Sequence, residues 1–134
     1  MTFLPLRQAE QIAKKSLSVS RERNLGPMSV AVVDAGGHLQ YAAREDGAGL
    51  GGIDIAAAKA RAAVMFGCSS REIAAALAAN PQASASVLAL FPGRIVLLAG
   101  AVLVRGESGV TLGAVGAAGG APDDDEAIAA AGAG

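Results

Sequence analysis

The stretch that most constrains this chain is residues 28–44, MSVAVVDAGGHLQYAAR. Met28 to Asp34 is rich in β-branched residues, Ala35-Gly36-Gly37 signals a turn, and His38 to Arg44 alternates as a half-buried strand does. Two such runs about a Gly-Gly turn predict a β-hairpin. A lone hairpin is marginal in water, so the remaining sequence must supply further strands and helices to cover it.

The flanking segments read accordingly. Leu6 to Asn24 predicts a helix with Leu6, Ile12, Ala13, Leu17 and Val19 as its apolar residues, stopped by Asn24, Gly26 and Pro27. After a loop carrying Gly47, Gly49, Gly51 and Gly52, Ile53 to Phe66 predicts a second helix, rich in alanine. Ser69 or Ser70 caps the next helix, with Glu72 placed for a capping box, and that helix runs to Asn80-Pro81. Ala83 to Leu90 fits either a short strand or a turn. Arg94–Leu98, Ala101–Arg105 and Val110–Val115 read as three short strands, and Asp123, Asp124 and Asp125 open a last helix where negative charge meets the positive end of the dipole. The expected order is α-β-β-α-α-β-β-β-α: an α+β fold with a five-stranded antiparallel sheet and helices packed on it, one domain over residues 1–134.

Charge and composition narrow the function classes. Eleven basic against 12 acidic residues leave a net charge of −1, which argues against nucleic-acid binding. The apolar fraction is 52%, yet the most apolar run, Ile95 to Val104, lies between two arginines and is about half the length a spanning helix needs. No membrane association is expected. The opening MTFLPLRQAEQ lacks the apolar core of a signal peptide, so a cytoplasmic location is expected. Cys68 is the single cysteine, which excludes an internal disulfide and a cysteine-rich zinc site. With one histidine as well, no metal site of protein ligands is expected. Aromatic residues make up 3% of the chain. Small side chains bury little area each, so packing must come from close backbone approach or from self-association, and a homo-oligomer is expected.

The charged residues gather where the hairpin leads into the second helix. Arg44 and Lys59 together suit a carboxylate, with arginine able to bind it bidentately. Asp46 is placed to orient one of them or to act as an acid-base group; as a plain alternative, Arg44 and Asp46 close the loop as an ion pair. His38 is a candidate proton carrier, or an ordinary polar residue after a turn. Cys68 has no base assigned to it and reads as a buried small residue. Gly116, Gly119 and Gly120, like Gly47, allow backbone amides to approach a ligand or a neighbouring subunit. No GK[ST] follows these glycines, so nucleotide binding is not expected.

Several stretches together resemble the GlcG/HbpS family, often labelled haem-binding and found also as the C-terminal part of PduO-type proteins. They are VAVVDAGGHL (30–39), AREDGAG (43–49), AAAKARAA (56–63), LGAVGAAGG (112–120) and PDDDEAIAAAG (122–132). The resemblance implies a five-stranded antiparallel sheet, assembly into dimers or larger rings, and haem or corrinoid binding in some members, for which His38, the single histidine, is the candidate axial ligand. Others accompany catabolism of aromatic and small carboxylic compounds. Here Leu17-Ser18-Val19-Ser20 carries no histidine where haem-coordinating relatives often offer one, Ala99-Gly100-Ala101-Val102 lacks the family's proline, and Ala117-Ala118-Gly119-Gly120 lacks its hydroxyl. Two functions are expected from the combined reading. One is binding of haem, a related tetrapyrrole or another planar compound, with Arg44, Lys59, Gly47, Gly116, Gly119 and Gly120 at the ligand. The other is a cofactor-independent lyase, isomerase or deaminase acting on a small unsaturated or aromatic acid, with Asp46, His38 and Lys59 catalytic.

Overall fold

The computed structural model describes residues 3–134. Helix α1 (Leu6–Glu22) precedes the hairpin strands β1 (Ser29–Asp34) and β2 (Leu39–Arg44), and three helices follow: α2 (Gly52–Phe66), α3 (Ser70–Ala78) and α4 (Pro81–Leu90). Strands β3 (Ala101–Arg105) and β4 (Thr111–Ala118) and helix α5 (Pro122–Ala133) complete the chain. The sheet is antiparallel throughout, in the order β2-β1-β4-β3.

Helices α1 and α5 cover one face of the sheet and α2 the other. The α1 face is packed by larger side chains, Ile12, Leu17, Val30, Val32, Val115 and Ile128. The α2 face is built from small ones: Ala31 and Ala118 of the sheet meet Ala56 and Ala57. A Cβ on Gly116 would lie 2.1 Å from the Ala56 carbonyl oxygen, so helix and strand are in backbone contact there. Close backbone approach is thus how a chain poor in aromatics fills this layer. β1, which lies between two strands and two helical layers, is buried from Ser29 to Val33. Among the described residues no helix is long and apolar enough to cross a membrane.

The α+β architecture agrees with the sequence reading, but among the described residues the sheet has four strands with five helices, not five strands. Residues 94–98, expected as a strand, form no ladder. Their apolar side chains are taken up by helices instead: Ile95 is buried against Ala62 and Ile73, and Leu97 joins Cys68, Leu77, Val87 and Phe91 around them. The Arg94 carbonyl accepts a hydrogen bond from Arg61 Nε at 2.7 Å. An apolar run of this length is compatible with either outcome, and packing against α3 and α4 decided it. The ambiguous segment Ala83–Leu90 lies in helix α4. The capping box formed as expected, with Ser69 as the cap and Glu72 reaching back to its amide.

Candidate functional site

The hairpin register places Arg44 opposite Ser29 and Leu39 opposite Val33. Arg44 therefore lies at the open end of the hairpin and His38 at its turn, about 20 Å apart at the usual strand rise. At the open end, an open groove of about 630 Å³ is lined by Arg21, Asn24, Gly26, Pro27, Arg44, Glu45 and Asp46.

Glu45 organises this end. Its carboxylate accepts from the Met28 amide at 3.0 Å and from Arg21 Nε at 3.0 Å, while its own amide donates to the Met28 carbonyl. The last turn of α1 is thereby fastened to the end of β2. Arg44 is exposed, and one of its guanidinium nitrogens donates to the Ala48 carbonyl at 3.0 Å across the following loop. Arg44 also lines the groove, and Asp46, likewise exposed, lines it two residues on. Arg44 and Asp46 form no ion pair within 4.0 Å; Arg44 closes the loop through a backbone carbonyl instead.

Gly47 and Gly119 approach the same end from two sides. Both have positive φ, 84° and 126°. A Cβ on Gly47 would lie 3.5 Å from the Pro27 ring, and one on Gly119 only 2.9 Å from the Pro27 carbonyl oxygen. Gly120 donates its amide to Asp125 Oδ1 at 2.9 Å. Gly116 lies deeper, beneath α2.

Lys59 does not face the groove. Its ammonium is buried, donating to Asp125 Oδ2 and to the Ala117 carbonyl, each at 3.0 Å. This pair joins α2, the end of β4 and α5, with Gly120 satisfying the second carboxylate oxygen. Asp123 and Glu126 of the same acidic run both pair with Arg71 at the start of α3. Three of the four acids of α5, Asp123, Asp125 and Glu126, are thus spent on anchoring that helix.

His38 is held at the turn. Asp34 Oδ1 accepts from the Gly36 and His38 amides at 2.9 Å each and lies 3.3 Å from His38 Nδ1, whose ring is 79% exposed. Cys68 is partly buried; desolvation first, and the nearby Glu72 second, push its thiol above the ordinary value, opposite to the shift a nucleophile needs. Of the residues singled out from the sequence, Arg44, Asp46, Gly47, Gly119 and Gly120 come together at one end of the sheet. Lys59 and Gly116 lie in the α2 layer, and His38 is at the opposite end.

Sequence reasoning missed the roles of Glu45 and Arg21, which follow the strand and end the first helix. Nothing local distinguishes them from solvated charges. The Lys59 partner had a weak signal: a lysine amid alanines on a buried helical face must find an acid from another element.

A family model described as haem-degrading protein HbpS-like matches residues 4–134. The chain belongs to the HbpS-like family. Among solved structures, a double mutant of Streptomyces reticuli HbpS is 34% identical, with 99% of this chain and 86% of that one aligned at a TM-score of 0.85. Klebsiella pneumoniae ORFY is 26% identical over 99% of this chain and 90% of its own, at a TM-score of 0.88. A haem complex of PduOC shares the fold at 21% identity, covering 98% and 93% of the two chains with a TM-score of 0.85. No curated protein matches the sequence significantly.

Proposed function

We propose that this protein binds a planar small molecule bearing a carboxylate, in the groove at the open end of the hairpin. A tetrapyrrole such as haem is the first candidate, supported by membership of a family described as haem-degrading. The observation that carries the reading is the groove itself: its volume of about 630 Å³ lies in the range of small-molecule sites, and Arg21 and Arg44 border it. Two guanidinium groups suit propionate side chains.

Iron is another matter. The groove residues include no imidazole, thiolate or thioether, and the one histidine is at the far end of the hairpin. The described residues fit the acidic edge of haem and do not fit axial ligation, so His38 is not the iron ligand for a molecule seated here. Binding through the propionates is the form the reading takes.

Asp46 beside Arg44 supports a second reading, an enzyme acting on a small unsaturated or aromatic acid. There Arg44 would hold the carboxylate and Asp46 would move a proton. Lys59 has no part in it, since its ammonium is committed to Asp125. Self-association belongs to the proposal as well, supported by apolar side chains open to solvent at Leu50, Leu88 and Leu90; a single monomeric species in sedimentation velocity would refute it.

The deciding experiment is a haemin titration of the purified protein followed in the Soret region. Saturable binding that weakens in Arg44→Gln supports the tetrapyrrole reading. Absence of saturable binding overturns it and leaves small carboxylic acids as the substrates to screen.

A further inference from the structure

Ser29 begins β1 and is wholly buried, yet its hydroxyl has no hydrogen-bond partner among the described residues. Polar groups in such positions are ordinarily satisfied. Ser29 stands opposite Arg44 on one side and Ala118 on the other. Residues paired across antiparallel strands project from the same face, and here that face is the one under α2, where Ala31, Ala42 and Ala118 pack against Ala56 and Ala57.

The Ser29 hydroxyl is aimed at the start of α2. A Cβ built on Gly52, the first residue of that helix, would lie 2.3 Å from Ser29 Oγ, so the helix begins in contact with the hydroxyl. The first turn is also uncapped: residue Gly51 holds the cap position and no side chain accepts from the turn. The Gly52 amide donates to Gly49 and the Ile55 amide to Gly51, which leaves the amides of Ile53 and Asp54 without an acceptor among the described residues. Space is open outward, since a Cβ on Gly49 or Gly51 would meet nothing within 4 Å. Arg44, tied to the Ala48 carbonyl, stands over the loop that leads into this turn.

We infer that the N-terminus of α2, with Ser29 beneath it and Arg44 beside it, is a carboxylate subsite: it seats the acidic group of a ligand whose planar body lies in the groove. Free amides at a helix start and the positive end of the dipole favour an anion. Arg44 supplies the full charge, and the Ser29 hydroxyl, left unpaired by the protein, supplies the remaining donor once the glycine loop yields. The inference rests on the reading that the Arg44 end of the sheet is the ligand site.

The test uses benzoate as the probe and benzamide as its uncharged counterpart, with the amide resonances of Ile53 and Asp54 followed by NMR on the intact protein. Benzoate is expected to shift both amides saturably and benzamide is not. Ser29→Ala and Arg44→Gln should each weaken benzoate about tenfold, the loss typical of one charge-assisted hydrogen bond. Arg44 is exposed, so that variant folds even if the serine variant does not. No saturable shift at Ile53 and Asp54, equal shifts with benzamide, or shifts unchanged in both variants would overturn the subsite. Haemin binding without any benzoate response would overturn the subsite while leaving the tetrapyrrole reading standing; a benzoate response without haemin binding would do the reverse.

Discussion

Lys59 Nζ lies 3.0 Å from Asp125 Oδ2, and both side chains are 4% exposed. The two residues come from the middle of the chain and its last helix, and they meet where α2, β4 and α5 converge. Every carboxylate oxygen is used, one by Lys59 and the other by the Gly120 amide. A buried pair of this kind adds little net stability over an apolar replacement, but breaking it leaves an uncompensated charge. Lys59→Met and Asp125→Leu alone should therefore each destabilise by about 3–5 kcal/mol, and the double variant by much less. Urea unfolding of the four proteins checks this as a double-mutant cycle. Additive losses would show that the two groups do not depend on each other.

Arg44 and His38 sit at opposite ends of one strand, so they cannot serve the same small ligand. Arg44→Gln should weaken haemin binding by about tenfold, the loss of one charge-assisted contact, while His38→Ala should leave it unchanged. Soret titrations of both variants decide the matter. Loss of the band in His38→Ala with full binding in Arg44→Gln would move the ligand to the turn and abandon the groove.

The hairpin and the capping box were legible because their signals are local: Gly36-Gly37 between alternating runs, and Ser69 three residues before Glu72. Asn80-Pro81 was legible only in part. It reads as the stop of α3, yet the same pair starts α4, with Asn80 Oδ1 accepting from Ala83 at 3.0 Å and Pro81 in the first turn. Residues 94–98 misled because Ile95-Val96-Leu97-Leu98 is a continuous apolar run of strand length, while the partners of Ile95 and Leu97 are helices. The charges at the hairpin's end were found, but their sorting was not. Whether Lys59 faces Arg44 or Asp125 depends on where α5 docks, and that is a property of the whole fold.

Gly116 faces α2 with no room for a side chain. A Cβ there would meet the Ala56 carbonyl oxygen at 2.1 Å and the Ala60 amide nitrogen at 3.3 Å, both backbone atoms in a helix that cannot yield singly. Gly116→Ala should therefore destabilise by about 1–3 kcal/mol or more, as overpacking does. Gly49→Ala, in open space outside the helix, serves as the control and should change little. Thermal unfolding of both variants gives the comparison. Equal midpoints would mean that α2 sits farther from β4 than the structure has it.

Cys68 offers a pH-dependent test of the helical cluster around Ile73 and Ile95. Desolvation, then Glu72, hold its thiol above its ordinary value of 9.0. The folded state thus prefers the neutral thiol, and the sign follows: the preference contributes fully below pH 9.0 and is lost as pH rises through the higher folded value. Alkylation by iodoacetamide at pH 8 should be slower than that of free N-acetylcysteine, and its rate should still be climbing above pH 9. Burial also slows the reaction by itself, so the midpoint of the rate against pH is the decisive reading rather than the rate alone. A midpoint below that of the free thiol would mean an activated cysteine, and with it a cationic neighbour that the packing of α3 does not provide.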